Sequence, residues 1–319
     1  MFNAPMGRAR DHLRWDAEQL WLQLQPLLPD LSVEVLAHTD STNAQLIERA
    51  RISGGRRDEP VTVPGQLDVR SRDGDTTPLG RRTGDTSPCL LVAETQTRGR
   101  GRQGKVWHSS PAASLTFSLA LPLAPADWSG LSLAVGVALA QALDAGLPPG
   151  SQPPIGLKWP NDLWFVDAPG VGRKLGGTLI ETVAVGPRRM AVIGVGLNVL
   201  PLSLRDLSTG YACLHERDAA ISAPRALHMV ALPLVQALLR FERDGLAPFA
   251  AAFAERDLLR GHAVVTSLPQ LPGGVADGID ARGALRLLTP DTPGGVELLT
   301  GGEVSVRSAS MQPPAPEAD

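Results

Sequence analysis

Two apolar runs, LGGTLIETVAV and RRMAVIGVGLNV, stand on either side of Gly186 and Pro187. Glycine and proline mark a turn, and the β-branched Val, Ile and Thr favour strands, so the pair reads as one long antiparallel hairpin. A chain carrying such a hairpin must build a sheet around it. Further strands are expected at residues 33–37, in CLLVAE, in SLTFSLAL, and on both sides of the Pro-Asn-Asp turn of IGLKWPNDLWF. One helix is expected over residues 11–25, where Leu13, Leu20 and Leu24 lie near helical spacing before Pro26 and Pro29. A second follows DSTN, with Thr42 and Gln45 at capping-box spacing. A mostly buried third spans 127–145 up to Gly146, and two more occupy 224–258, with Pro233 expected to kink or split the first.

Short apolar runs between Gly-rich turns over residues 262–307 predict a small all-β module at the end. The whole reads as α+β: a central mixed β-sheet flanked by helices, with a β appendage. Residues 1–260 form the main domain, 261–308 the small one, and the Pro/Ala/acid-rich 309–319 a disordered tail. Residues 53–88 are rich in Gly, Pro and charge without apolar period, and are expected to be a disordered insertion outside the core.

A net charge of -3 gives no global field toward nucleic acid or an acidic membrane, so any polyanion site must be local. Aromatic content of 4% also argues against a nucleic-acid surface of interleaved bases and rings. The N-terminus carries charges where a signal peptide needs apolar residues, and no stretch approaches a membrane span. Cys89 and Cys213 do not make a disulfide framework or a zinc site, and the six histidines do not cluster. A cytoplasmic protein is expected, without membrane attachment.

The run GRGRQG at residues 99–104 formally matches a dinucleotide-binding GxGxxG. A dinucleotide fold would require a helix next and an acid about 20 residues on, whereas loop and strand follow, so NAD and flavin are not expected. The loop instead offers Arg98, Arg100, Arg102 and Lys105, spaced by glycines that let backbone approach a ligand. Guanidinium forks suit carboxylate and phosphate. Taken alone, a solvated basic loop would be the ordinary explanation. Three further stretches change that: KWPND at residues 158–162, RKLGG at 173–177 and GVGLN at 194–198. Together they suit a carboxylate, a nucleoside triphosphate and a divalent metal. Mutual repulsion of the four loop cations predicts a loop that stays open until an anion orders it.

DSTN, AETQxxGRGRxG with a following Trp, KWPND, RKLGGxLIE and GVGLN occur in the order of the biotin protein ligase family, and LTGGEVSVRS resembles that family's C-terminal motif. The resemblance spans about residues 33–308 apart from the insertion, and implies an α+β catalytic domain followed by an SH3-like β-barrel. It implies an ATP-dependent ligase that makes biotinyl-5'-AMP and passes biotin to a lysine of a biotin carboxyl carrier protein, with ATP and Mg²⁺ and without zinc. By resemblance, Ser41, Thr42, Asn43 and Gln96 would hold the ureido ring. Arg100, Gly101, Arg102, Lys174, Gly194 and Gly196 would complete the biotin site, with Lys174, Arg100 and Arg102 catalytic. Lys158, Trp159, Asn161, Asp162, Asn198, Glu303 and Arg307 would meet ATP, with Asp162 a ligand for Mg²⁺. Trp107 is expected in the core. Repressor members of the family carry an N-terminal winged helix-turn-helix. About one helix precedes the catalytic region here, so DNA binding is not expected. A lipoate or octanoate ligase or transferase of related fold is the alternative, and the chain is expected to be a monomer or a homodimer.

Overall fold

The computed structural model describes residues 13–54, 86–146, 154–202, 210–289, 295–300 and 307–308. The helix expected over 11–25 is shorter. Asp16 adopts left-handed φ and ψ of 45° and 47°, which no helix can carry, so α1 (Ala17–Leu24) begins after it. β1 (Ser32–Thr39) leads into α2 (Thr42–Gly54), and most of the expected insertion, residues 55–85, lies outside the described residues. The capping box does not form at Thr42 and Gln45. Ser41 Oγ accepts from the Ala44 N–H at 3.4 Å, while Gln45 Oε1 is taken by the Thr39 hydroxyl at 2.9 Å.

β2 (Cys89–Gln96), β3 (Ser114–Pro122) and α3 (Leu131–Leu143) follow, then β4 (Ile155–Lys158), β5 (Asp162–Ala168), β6 (Val171–Val185) and β7 (Arg188–Asn198). These strands form one seven-stranded sheet in the order β1-β2-β3-β7-β6-β5-β4. β1 and β2 run parallel and every other neighbouring pair is antiparallel, so the sheet is mixed as expected. The hairpin legible in the sequence is β6 and β7, paired from Gly176↔Leu197 to Val185↔Arg188.

Strand alternation divides the apolar side chains between two faces. Leu90, Val92, Leu115, Phe117, Ile193 and Val195 join the core beneath α1 and α3, while Leu91, Val183 and Val192 pack with Leu46, Ile47 and Ala50 of α2 on the other side. α4 (Ala223–Asp244) is a single 22-residue helix that continues through Pro233, contrary to the expected kink or split. An interior proline costs about 3 kcal/mol. Leu227, Val230, Leu234, Val235, Leu238 and Phe241 are each fully buried on either side of it, and at roughly 1.5–3 kcal/mol per large side chain their burial offsets that cost. α5 (Ala250–Ala254) is a short last turn of helix. No described helix is long and apolar enough to cross a membrane.

β8 (Ala263–Leu268), β9 (Leu271–Ile279), β10 (Leu285–Leu288), β11 (Val296–Leu299) and β12 (Arg307–Ser308) make an antiparallel sheet in the order β11-β10-β9-β8-β12. Its Val264, Ala276, Leu285, Leu287 and Leu299 extend the main core. Trp159 Nε1, just past β4, donates to Gly283 O of this module at 2.9 Å, and the Leu157 N–H of β4 donates at 2.7 Å to Arg256 O on the segment that leads to β8.

Candidate active site

Strand ends and loops on the α2 side of the sheet enclose a cavity of about 350 Å³. At one end, the first turn of α2 places Ser41, Thr42 and Asn43 against the end of β2. Gln96 Oε1 accepts from the Thr42 N–H at 2.8 Å and from its hydroxyl at 3.2 Å. Asn43 also lines the cavity, but its amide is engaged by protein. Nδ2 donates to Leu179 O at 3.0 Å and to Glu181 Oε2 at 2.9 Å, and Oδ1 lies 2.6 Å from Ser118 Oγ. An amide so satisfied braces the pocket rather than offering itself to a ligand.

The glycines of GVGLN have a steric reason. A Cβ on Gly194 would stand 2.4 Å from Asn43 Oδ1, and one on Gly196 would stand 2.5 Å from the Trp107 ring. Trp107 therefore belongs to the cavity wall, half-buried, and not to the core as expected. Its Nε1 is buried beside Gly196 with no partner among the described residues.

The Gly/Arg loop is more structured than its glycines suggest. The Gly101 N–H donates to Lys105 O at 2.7 Å, the Lys105 N–H to Arg102 O at 3.1 Å and the Trp107 N–H to Gly99 O at 2.9 Å, with Gln103 left-handed at φ 57°. The open loop expected from cation repulsion is thus a folded turn, because backbone bonds and counter-charges outweigh the repulsion. Arg100 pairs with Glu181 at 3.4 Å, and Arg102 Nη1 donates to Asn161 Oδ1 at 3.4 Å. Burial pulls the Arg102 guanidinium below its ordinary pKa, opposed by the charge of Asp162.

At the other end, the turn between β4 and β5 sets KWPND. Lys158 is buried with its ammonium 4.2 Å above the Trp164 ring, and Asn161 Nδ2 donates to Thr178 O at 2.6 Å. Lys174 Nζ meets Asp162 Oδ1 at 2.9 Å. Asn198 Nδ2 donates to Lys174 O at 3.1 Å and to Ala212 O at 2.9 Å, so it secures the backbone that carries Lys174. Trp159 borders the cavity, but its indole is buried with Nε1 committed to Gly283, so its evident duty is structural. Glu303 lies outside the described residues, as does the side chain of Arg307, whose backbone pairs with Val265. Sequence reasoning gave no role to Ser118, Glu181 or Tyr211. Ser118 sits in an apolar-reading strand, Glu181 ends the RKLGGxLIE stretch with no partner in view, and Tyr211 follows a stretch with no motif.

Among the described lining residues, Arg100, Arg102, Lys105, Lys158 and Lys174 face a single carboxylate, Asp162. A polar end joined to a cationic end has the chemistry to take a small carboxylate and a polyphosphate, as a carboxylate-activating enzyme requires. Comparison with known proteins narrows this class. The biotin/lipoate A/B protein ligase family matches residues 81–198. The bifunctional ligase/repressor BirA of Escherichia coli (strain K12) is 31% identical over 87% of this chain and 75% of its own length. The biotin--[acetyl-CoA-carboxylase] ligase of Mycobacterium tuberculosis is 32% identical over 75% of this chain and 88% of its own length. Among solved structures, the biotin protein ligase from Aquifex aeolicus in complex with biotin and ATP shares the fold at a TM-score of 0.62 and 22% identity, covering 87% of this chain and 99% of that one. The chain belongs to the biotin protein ligase family, and it is a ligase.

Proposed function

We propose that the protein joins biotin to AMP using ATP and transfers the biotinyl group to a lysine of a biotin carboxyl carrier domain. The observation that carries this reading is the convergence of Lys174, Arg100 and Arg102 on one cavity whose far end presents Gln96, Thr42 and Ser41. A biotin carboxylate oxygen attacks the α-phosphorus of ATP, and pyrophosphate leaves with the electrons of the broken bond. Two anions must approach for this, so fixed cations supply most of the stabilisation. Lys174 would bridge carboxylate and α-phosphate, and Arg100 and Arg102 would hold the carboxylate and the phosphates. The acceptor amine then attacks the biotinyl carbonyl, AMP departs and the amine loses a proton. Ser41, Thr42 and Gln96 would take the ureido ring, whose buried carbonyl and N–H groups need partners.

Lys158, Asn161 and Asp162 would face the phosphates. Mg²⁺ is commonly held by one or two carboxylates together with substrate phosphates, so a cavity with Asp162 as its described carboxylate fits an ion arriving with ATP. Asp162 would hold the ion, which would neutralise phosphate charge. Cys89 and Cys213 are both free and buried, which supports a reducing cytoplasm.

The test is incubation with ATP, Mg²⁺ and biotin, with mass spectrometry for biotinyl-AMP. A parallel reaction replaces biotin with lipoate. Biotinyl-AMP without lipoyl-AMP is expected, and the reverse outcome would assign the chain to the lipoate branch.

A further inference from the structure

We infer that Glu181, which does not line the cavity, is a positioning residue that ties the Gly/Arg loop to the ring-binding end of the site. It stands on β6 opposite Val192, with its side chain 31% exposed. Its Oε2 accepts from Asn43 Nδ2 at 2.9 Å and from Arg100 Nη2 at 3.4 Å. Asn43 is itself joined to Ser118, Ser118 lies 2.6 Å from Thr42 Oγ1, and Thr42 meets Gln96. The contacts therefore run Gln96, Thr42, Ser118, Asn43, Glu181, Arg100. They close on themselves, because Gln96 and Arg100 belong to the same segment of chain.

Thr42, Asn43 and Ser118 are all buried, so this part of the ring is shielded from water and costly to leave unpaired. Glu181 is its one charged acceptor. The carboxylate does two things at once. It fixes the Asn43 amide that braces the floor beside Gly194, and it gives Arg100 a counter-charge that holds the loop down before any ligand carboxylate arrives. The mutual placement of Arg100 and the ring-binding residues is then set before binding, which lowers the ordering cost of binding. Since Glu181 does not line the cavity, its loss should weaken capture while leaving the bond-making step intact.

This inference rests on the ligase reading, and the test separates the two. Glu181→Gln keeps size and a carbonyl oxygen for Asn43 but removes the charge facing Arg100, whereas Glu181→Ala removes both contacts. The KM for biotin in adenylate formation should rise about fivefold in the glutamine variant and about twentyfold in the alanine variant, with kcat within about twofold of the parent. Trypsin cleavage after Arg100 in the ligand-free proteins should accelerate in the same order. Unchanged KM and unchanged cleavage in Glu181→Gln, or a fall in kcat at constant KM, would overturn the assignment. If the parent protein makes no biotinyl-AMP, the ligase reading fails, and the cleavage rates alone decide whether Glu181 anchors the loop.

Discussion

Lys174 Nζ lies 2.9 Å from Asp162 Oδ1 although their strands do not pair these residues: Asp162 is opposite Gly177, and Lys174 is opposite Trp164. A register shift at Leu163 and Trp164 makes the contact possible. Without it Lys174 would fall opposite Phe165 and point to the other face of the sheet. With it, Lys174 shares a face with Asp162 and Trp164, and Lys158, opposite Asp162, joins them.

Lys174 is held by one carboxylate and stands at the cavity, so its charge is available to a developing transition state. Lys174→Ala should slow single-turnover adenylate formation by about 100-fold or more, judged from other electrostatic stabilisers. Biotin binding measured by calorimetry should weaken much less. Adenylation at the parent rate would remove Lys174 from the mechanism.

Arg102 Nη1 donates to Asn161 Oδ1 at 3.4 Å, and both residues line the cavity. Arg102→Gly should still form adenylate but let it escape, because the contact with Asn161 that would hold the loop over the anhydride is gone. Biotinylation of bystander lysines in an added carrier-free protein is the readout, and its absence would show that Arg102 does not retain the intermediate.

Asp144, at the end of α3, is buried between Arg217 and Arg256, pairing with Arg217 Nη1 and, at 2.6 Å, with Arg256 Nη1. Removing one member of a buried ionic group strands the rest, at about 3–5 kcal/mol. Asp144→Ala should lose stability on that scale in urea unfolding. A loss below about 1 kcal/mol would mean that water compensates the two guanidinium groups.

Asp257 lies on the segment that leads to β8, and burial pushes its carboxyl up to about 6 from 3.8. Oδ1 accepts from the Leu259 N–H at 3.0 Å, while Oδ2 is buried with no partner among the described residues. Between pH 3.8 and about 6 the folded state holds a proton that the unfolded state has released, so stability falls as pH rises through that window. Asp257→Asn keeps an acceptor for Leu259 and removes the charge. It should be more stable than the parent by about 3 kcal/mol at pH 7 and equal to it below about pH 3. Parallel stability curves for the two proteins across that range would contradict the assignment.

Local chemistry was legible without coordinates. The Gly186 and Pro187 turn marked the β6–β7 hairpin, and the residue types of GRGRQG, KWPND and RKLGG picked out cations that the fold brings to one cavity, because a turn residue or a guanidinium acts much the same wherever it stands. What the sequence could not supply were relations between distant residues. Glu181 reads only as the last residue of RKLGGxLIE until Asn43 and Arg100 arrive beside it from elements 138 and 81 residues away. Trp107 reads as core until Gly196 makes room for its ring at the cavity wall. Pro233 reads as a helix breaker until buried side chains on both sides stabilise the helix that carries it. In each case the deciding energy comes from packing or pairing across the fold, which local propensity does not contain.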